Sequence, residues 1–233
     1  MKIIAGNWKM NGSRDSLREM VAALSNVETQ NSVILCVPFT MLNPTNSSVS
    51  LGAQDISCHD KGAYTGEVSG AMLHDAGAKY VICGHSERRA YHNESNADVC
   101  AKANAALASG LTPIICVGET MDEKNAGKTM EIIESGVRES VPVDGGEVIV
   151  AYEPRWAIGA GLTPTDEEIA SAHTLIANTL EKMGRGGTPI LYGASVKGNN
   201  AAQIMSISHV DGVLVGGASL KPDDFLPIIT SVK

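Results

Sequence analysis

The chain has 233 residues, 43% hydrophobic and 19% charged, which is ample for a core and carries no signature of disorder. Its 18 lysines and arginines face 26 acidic residues, and the resulting net charge of −8 disfavours nucleic acid and anionic membrane surfaces as partners. An anionic ligand therefore needs local attraction from a few lysines and backbone amides. The five cysteines (Cys36, Cys58, Cys83, Cys100 and Cys116) are an odd set with no C-x-x-C pair. Three lie within apolar runs, which reads as reduced, buried thiols and a cytoplasmic location. The N-terminus turns polar at Asn7, too early for a signal-peptide core, and no apolar run approaches the roughly 18 residues of a membrane span.

In chain order, an apolar strand is expected at Lys2–Gly6, then a helix from Ser13 to about Leu24 with Leu17, Met20, Val21 and Leu24 on one face. A strand at Val33–Val37 is followed by a segment, 38–48, too short for more than one helical turn. Strands at Val49–Ala53 and Tyr80–Cys83 precede a helix from Ser95 to Ala108. A strand at Thr112–Val117 leads to a helix from Lys128 to about Val137, and a strand at Glu147–Tyr152 leads to one from Thr165 to Met183. The last of these opens Thr165-Asp166-Glu167-Glu168, the pattern of a capping box. Strands at Ile190–Tyr192 and Gly212–Val215 precede a final helix, Pro222–Val232, with proline in its first turn. Most strands are apolar at consecutive positions, as in a parallel sheet covered on its outer face. Eight such units at about 29 residues each predict an α/β fold of the (β/α)8 barrel type with a shortened second helix, as one domain over 1–233.

In such a barrel, chemistry collects on the loops that follow the strands. Asn7-Trp8-Lys9 follows the first strand, Gly84-His85-Ser86-Glu87-Arg88-Arg89 the fourth, and Gly118-Glu119 the fifth. Glu153-Pro154-Arg155-Trp156-Ala157-Ile158-Gly159 follows the sixth, Gly193-Ala194-Ser195 the seventh, and Gly216-Gly217 the eighth. Each has a bland reading taken singly: a solvated lysine, a structural histidine, a strand-ending glutamate, turn glycines. Their convergence on one rim makes a site.

Gly216 and Gly217 offer backbone amides at a short helix start, a phosphate site that Ser195 and the Gly159 amide complete. Lys9 supplies the local positive charge. Glu153 faces an apolar loop whose closure would strip its water and make it a better base. His85 stands at a helix start beside arginines, which favours a neutral imidazole acting as donor. A base and a neutral donor beside a phosphate anchor point to proton abstraction next to a carbonyl, with Asn7 and Lys9 stabilising the enediolate oxygen.

These stretches resemble the triosephosphate isomerase family. The likeness is carried by Gly6-Asn7-Trp8-Lys9-Met10-Asn11-Gly12, Gly52-Ala53-Gln54, Gly62-Ala63-Tyr64-Thr65-Gly66-Glu67 and Gly84-His85-Ser86-Glu87-Arg88-Arg89. It continues in Cys116-Val117-Gly118-Glu119-Thr120, Ala151-Tyr152-Glu153-Pro154, Trp156-Ala157-Ile158-Gly159 and Leu214-Val215-Gly216-Gly217-Ala218-Ser219-Leu220, in family order from end to end. The resemblance implies that Lys9, His85 and Glu153 are catalytic, with Asn7, Lys9, Gly159, Ser195, Gly216 and Gly217 binding a triose phosphate. It implies Glu87 as the partner of Lys9 and His85, and 154–164 as a closing loop in which Ile158 and Leu214 crowd the base. It implies no metal or organic cofactor, because the substrate carbonyl is the electron sink. It also implies a homodimer through loop 58–69, whose tip residue Thr65 enters a pocket beside the partner's site; the length and apolar tip of that loop agree. Three positions depart from the family pattern: Arg155 in the first hinge, Ala160, and Ala194 in place of a second glycine. The competing readings are another phosphate-binding barrel isomerase and a non-catalytic barrel scaffold.

Overall fold

The computed structural model describes residues 1–43, 49–159 and 162–232. Eight parallel strands close into a barrel in sequence order. They are β1 (Ile3–Asn7), β2 (Ser32–Cys36), β3 (Ser50–Ala53), β4 (Tyr80–Cys83), β5 (Thr112–Val117), β6 (Ile149–Tyr152), β7 (Ile190–Tyr192) and β8 (Gly212–Val215). Closure is completed where β8 pairs with β1, Gly212 to Val215 alongside Ile3 to Gly6. One set of buried side chains, including Ala5, Ile34, Ile82, Ile114, Ala151, Leu191 and Leu214, packs as a separate cluster from the larger apolar core. The alternation of side chains along each strand assigns it to the barrel interior and the larger core to the helix layer.

The helices are α1 (Arg14–Leu24), α2 (Gly70–Asp75), α3 (Ser86–Tyr91), α4 (Asn96–Ala108), α5 (Met121–Asn125), α6 (Thr129–Ser140), α7 (Asp166–Lys182), α8 (Ala201–Ser206) and α9 (Pro222–Ile229). The expected starts at Ser13, Ser95 and Thr165 are all N-caps with reciprocal capping boxes. Segment 38–48 holds one 3-10 turn, Phe39–Met41, and 44–48 lie outside the described residues.

The differences from expectation have local causes. The last helix stops at Ile229 rather than Val232, because the Asn31 amide donates to the carbonyls of both Ile229 and Val232 and pulls the chain out of the helical ladder. The sixth strand begins at Ile149 rather than Glu147, since the Gly146 carbonyl is taken by the Arg185 guanidinium instead of a neighbouring strand. The helix expected over Lys128–Val137 runs over Thr129–Ser140 instead, with Lys128 as its N-cap. Short helices α2, α5 and α8 were given no bounds from the sequence.

All five cysteines are free; Cys36, Cys83 and Cys116 are buried, and burial pushes the Cys36 thiol up to about 12. Among the described residues, no helix is long and apolar enough to cross a membrane.

Candidate active site

Strand register brings the polar strand ends to one level. Asn7 pairs with Cys36, and Val117, Tyr152 and Tyr192 pair in succession, so Asn7, Gly118, Glu153 and Gly193 share one rim. A cavity of about 290 Å³ on that rim is lined by Asn7, Lys9, His85, Glu153, Ile158, Gly159, Ser195, Leu214, Gly216 and Gly217, among others. Every candidate binding and catalytic residue read from the sequence lines it; Glu87 lies just outside.

The first half of the rim is tightly cross-braced. Lys9 has a left-handed backbone, φ 52°, unusual for a side chain of that size. Its amide donates to Asn7 Oδ1 at 3.0 Å, and its carbonyl accepts from Gln54 Nε2 at 2.9 Å. The ammonium pairs with Glu87 Oε1 at 2.6 Å. His85 is the N-cap of α3, and its Nδ1 accepts the Glu87 amide at 3.2 Å. A nitrogen that accepts holds no proton, so this bond assigns His85 the neutral tautomer with its proton on Nε2. Nε2 faces Glu153 Oε1 at 3.2 Å.

Glu153 follows β6 and is only 2% exposed. Its Oε2 accepts the Ser86 amide at 3.0 Å, and its own amide donates to the Val117 carbonyl at 2.8 Å. The flanking glycines make room for it. A Cβ on Gly118 would stand 1.9 Å from the Glu153 carbonyl oxygen, and one on Gly193 would stand 2.9 Å from Glu153 Cγ. These glycines are more than turn punctuation: they set how closely β5 and β7 approach the carboxylate.

The second half of the rim consists of loop contacts. Pro154 leads into a 3-10 turn, Arg155–Ala157, and Gly159 follows with φ 69°. Ser195 Oγ donates to the Ala157 carbonyl at 3.1 Å. Backbone strain in the loop after β7 falls on Ser195, φ 42°, whereas Ala194 does not adopt a positive φ; alanine at 194 therefore carries no left-handed strain. Gly216 is the N-cap of the short turn Gly217–Ser219. Ala160 and Gly161 lie outside the described residues.

Sequence reasoning placed Glu119 after a strand and gave it no role. It is 1% exposed and accepts from Trp156 Nε1 at 2.7 Å and from the Tyr152 hydroxyl at 3.3 Å. Burial raises its carboxyl, while the bonds from Trp156 and Tyr152 and the charge of Lys124 pull the other way. The sequence signal available was Thr120-Met121-Asp122-Glu123, a capping box that fixes α5 directly after Glu119. Among the described residues, no group of three or more His, Cys, Asp or Glu is placed to hold a metal ion.

Residues 2–232 match the family model described as triosephosphate isomerase. A triosephosphate isomerase of Ruegeria sp. (strain TM1040) is 46% identical over 240 residues, covering 99% of this chain and 98% of the relative. That of Bartonella bacilliformis is 44% identical, covering 97% of this chain and 94% of the relative. The crystal structure of triosephosphate isomerase from Bartonella henselae superposes with a TM-score of 0.88 at 39% identity, covering 99% of this chain and 98% of that one. By its closed barrel, its rim and its likeness to these relatives, the chain belongs to the triosephosphate isomerase family.

Proposed function

We propose that the protein interconverts dihydroxyacetone phosphate and D-glyceraldehyde 3-phosphate without a cofactor, through an enediolate. The observation that carries this reading is the convergence of Glu153, a neutral His85 and Lys9 on one cavity that ends at Gly216 and Gly217. Glu153 takes the proton from the carbon next to the carbonyl and returns it to the neighbouring carbon. His85 donates from Nε2 to the oxygen on which charge develops and takes a proton back from the neighbouring hydroxyl oxygen as that carbon becomes the new carbonyl, so the imidazole ends the cycle as it began. Lys9 and Asn7 stabilise that oxygen and orient the substrate, and Glu87 holds Lys9. The amides of Gly159, Gly216 and Gly217, with Ser195, take the phosphate. Residues 154–164 act as a lid that closes over the bound substrate and excludes water. A coupled assay with D-glyceraldehyde 3-phosphate tests the activity: isomerisation abolished by Glu153→Gln supports it, and no turnover by the wild-type protein refutes it.

Residues 1–233 act as one domain in the cytoplasm, and two copies associate through loop 58–69. Loop closure by the Ser57–Val68 backbone bond and stacking of His59 on Tyr64, at 3.9 Å and 4°, support a preformed protrusion. A cavity of about 490 Å³ beside Lys9 includes Met10, Phe39, Gln54 and Tyr91 in its lining. Met10 is 96% and Tyr91 79% exposed, an apolar face suited to receiving the Thr65 tip of a second copy. Sedimentation at micromolar concentration checks this: a species near twice 24.4 kDa is expected, and a fully active monomer excludes it.

A further inference from the structure

Among the described residues that line the cavity around Glu153, the charged side chains are Lys9, Glu153 and Lys197. Lys9 is matched by Glu87 at 2.6 Å, and His85 is neutral. Lys197, exposed in the loop after β7, has no ion pair and no side-chain hydrogen bond among the described residues. Its main chain, by contrast, is fully engaged. The amide donates to Asn200 Oδ1 at 2.7 Å, and the carbonyl accepts the amides of Asn200 at 3.2 Å and Ala201 at 3.0 Å, at the start of α8. Asn200 Nδ2 donates in turn to the Ser195 carbonyl at 3.0 Å. Gly198 packs so closely on α9 that a Cβ there would stand 2.7 Å from Pro227 Cβ. The loop thus presents Lys197 from a fixed backbone, two residues beyond Ser195. With its amide already spent, Lys197 can act on a ligand through its ammonium.

An unpaired ammonium is unremarkable on a surface; its place gives this one meaning. A phosphate monoester carries about −1.5 to −2 charges near pH 7. Entering this cavity, it meets the Glu153 carboxylate inside a protein of net charge −8. The amides of Gly159, Gly216 and Gly217 offer dipoles and no net charge, and the charge of Lys9 is offset by Glu87. Lys197 is the uncompensated cation. We propose that Lys197 is a substrate-binding residue whose ammonium pairs with the phosphate held by Ser195, Gly216 and Gly217. The inference rests on the reading of those residues as the phosphate anchor. The flexible four-carbon stem lets the charge follow the phosphate without fixing its geometry. Such a pair is the same in bound substrate and in the transition state, so it lowers KM and leaves kcat unchanged.

The test titrates two probes by calorimetry: 2-phosphoglycolate, a phosphate-bearing mimic of an enediolate, and inorganic phosphate. They are added to wild type, Lys197→Met, Lys197→Arg and Lys182→Met, beside steady-state kinetics with D-glyceraldehyde 3-phosphate. Lys182 lies in the last turn of α7, at the opposite mouth of the barrel, and its loss changes the net charge equally. Lys197→Met should weaken both probes and raise KM by about three- to tenfold, with kcat unchanged. The deficit should shrink as salt rises from about 10 to about 150 mM. Lys197→Arg should restore wild-type values, since a guanidinium also pairs with phosphate, and Lys182→Met should match wild type. Equal affinities in wild type and Lys197→Met overturn the proposal. So does a fall in kcat at constant KM, which places the role in the chemistry or the fold. Weakening of 2-phosphoglycolate but not of inorganic phosphate overturns it by putting the lysine at the carboxylate end. An equal loss in Lys182→Met overturns it by making the effect one of overall charge. A wild-type protein that binds neither probe refutes the phosphate anchor itself, and the role of Lys197 with it.

Discussion

The two halves of the rim are built differently. Around Lys9 and His85 the contacts fix the chain itself: the Lys9 amide on Asn7 Oδ1, its carbonyl on Gln54, and the Glu87 amide on His85 Nδ1. Around Glu153, the equivalent contacts join the lid stem or the base to a neighbour with which it need not stay. Glu153 rests on the Ser86 amide, Ala157 on the Ser195 hydroxyl, and Trp156 on Glu119 and Lys124. A donor to a developing oxyanion works best when it needs no reorganisation at the moment of reaction. A base that must reach two adjacent carbons, under a lid that admits substrate and releases product, cannot be held so firmly. On the mechanism proposed above, the division of the rim follows the division of the chemistry.

The largest expected effect is on the movable half. Glu153→Asp keeps the charge but withdraws the carboxylate by one methylene, and a misplacement of about 1 Å costs roughly 10²-fold in turnover. Thermal stability should hardly change, because Asp retains an acceptor near Ser86. Near-normal turnover in a coupled assay would mean that another group is the base.

Next comes the braced half. Lys9→Ala removes a charge-assisted contact worth about 1.5–3 kcal/mol, so affinity for a phosphate-bearing inhibitor should fall at least about tenfold along with turnover. Glu87 loses its partner but is 42% exposed, which limits the stability change to under about 1 kcal/mol. Unchanged affinity by inhibition kinetics would remove Lys9 from the binding site.

Arg155 is the departure within the proposed first hinge, and its amide donates to the Glu119 carbonyl at 2.9 Å. Arg155→Val keeps that backbone bond, so relaxation-dispersion measurements should show altered opening and closing rates with the proton-transfer step unchanged. Identical rates would make the side chain irrelevant to the lid.

The smallest effect concerns Glu119, whose carboxyl burial raises above its ordinary 4.5. In the window above that value the unfolded chain has already lost this proton while the folded chain keeps it. The site therefore subtracts stability as pH rises through its folded pKa. Glu119→Gln removes the titration, and urea unfolding at pH 4.5 and pH 7.5 should show a flatter dependence than wild type. Parallel curves would contradict the burial argument.

Much of this was legible in the sequence, for physical reasons. Runs such as Val33–Val37 and Thr112–Val117 are apolar on consecutive positions because both faces are covered in a parallel barrel. The helix starts at Ser13, Ser95 and Thr165 were readable because a hydroxyl at the N-cap leaves a local signature. Helices α2, α5 and α8 were not, since five or six residues are too few to display a 3.6-residue period. That Lys9, His85 and Glu153 would line one cavity could be foreseen because strand ends of a barrel must share a rim. The contacts of Glu119, Trp156 and Lys124 could not: Glu119 and Trp156 lie 37 residues apart, and only the pairing of β5 with β6 brings them together. Ala194 replaces a second glycine, yet the left-handed backbone falls on Ser195, one residue on, because the turn geometry after β7 is not written in residue identity alone.

The contrast between the halves is tested most directly by amide hydrogen exchange with and without 2-phosphoglycolate. Residues 155–159 should become strongly protected on binding, while the amides of 87–89, held by His85 itself, should change little. Equal exchange of 155–159 in the two states, or protection of both segments to the same degree, would contradict a rim divided into a fixed donor half and a movable base half.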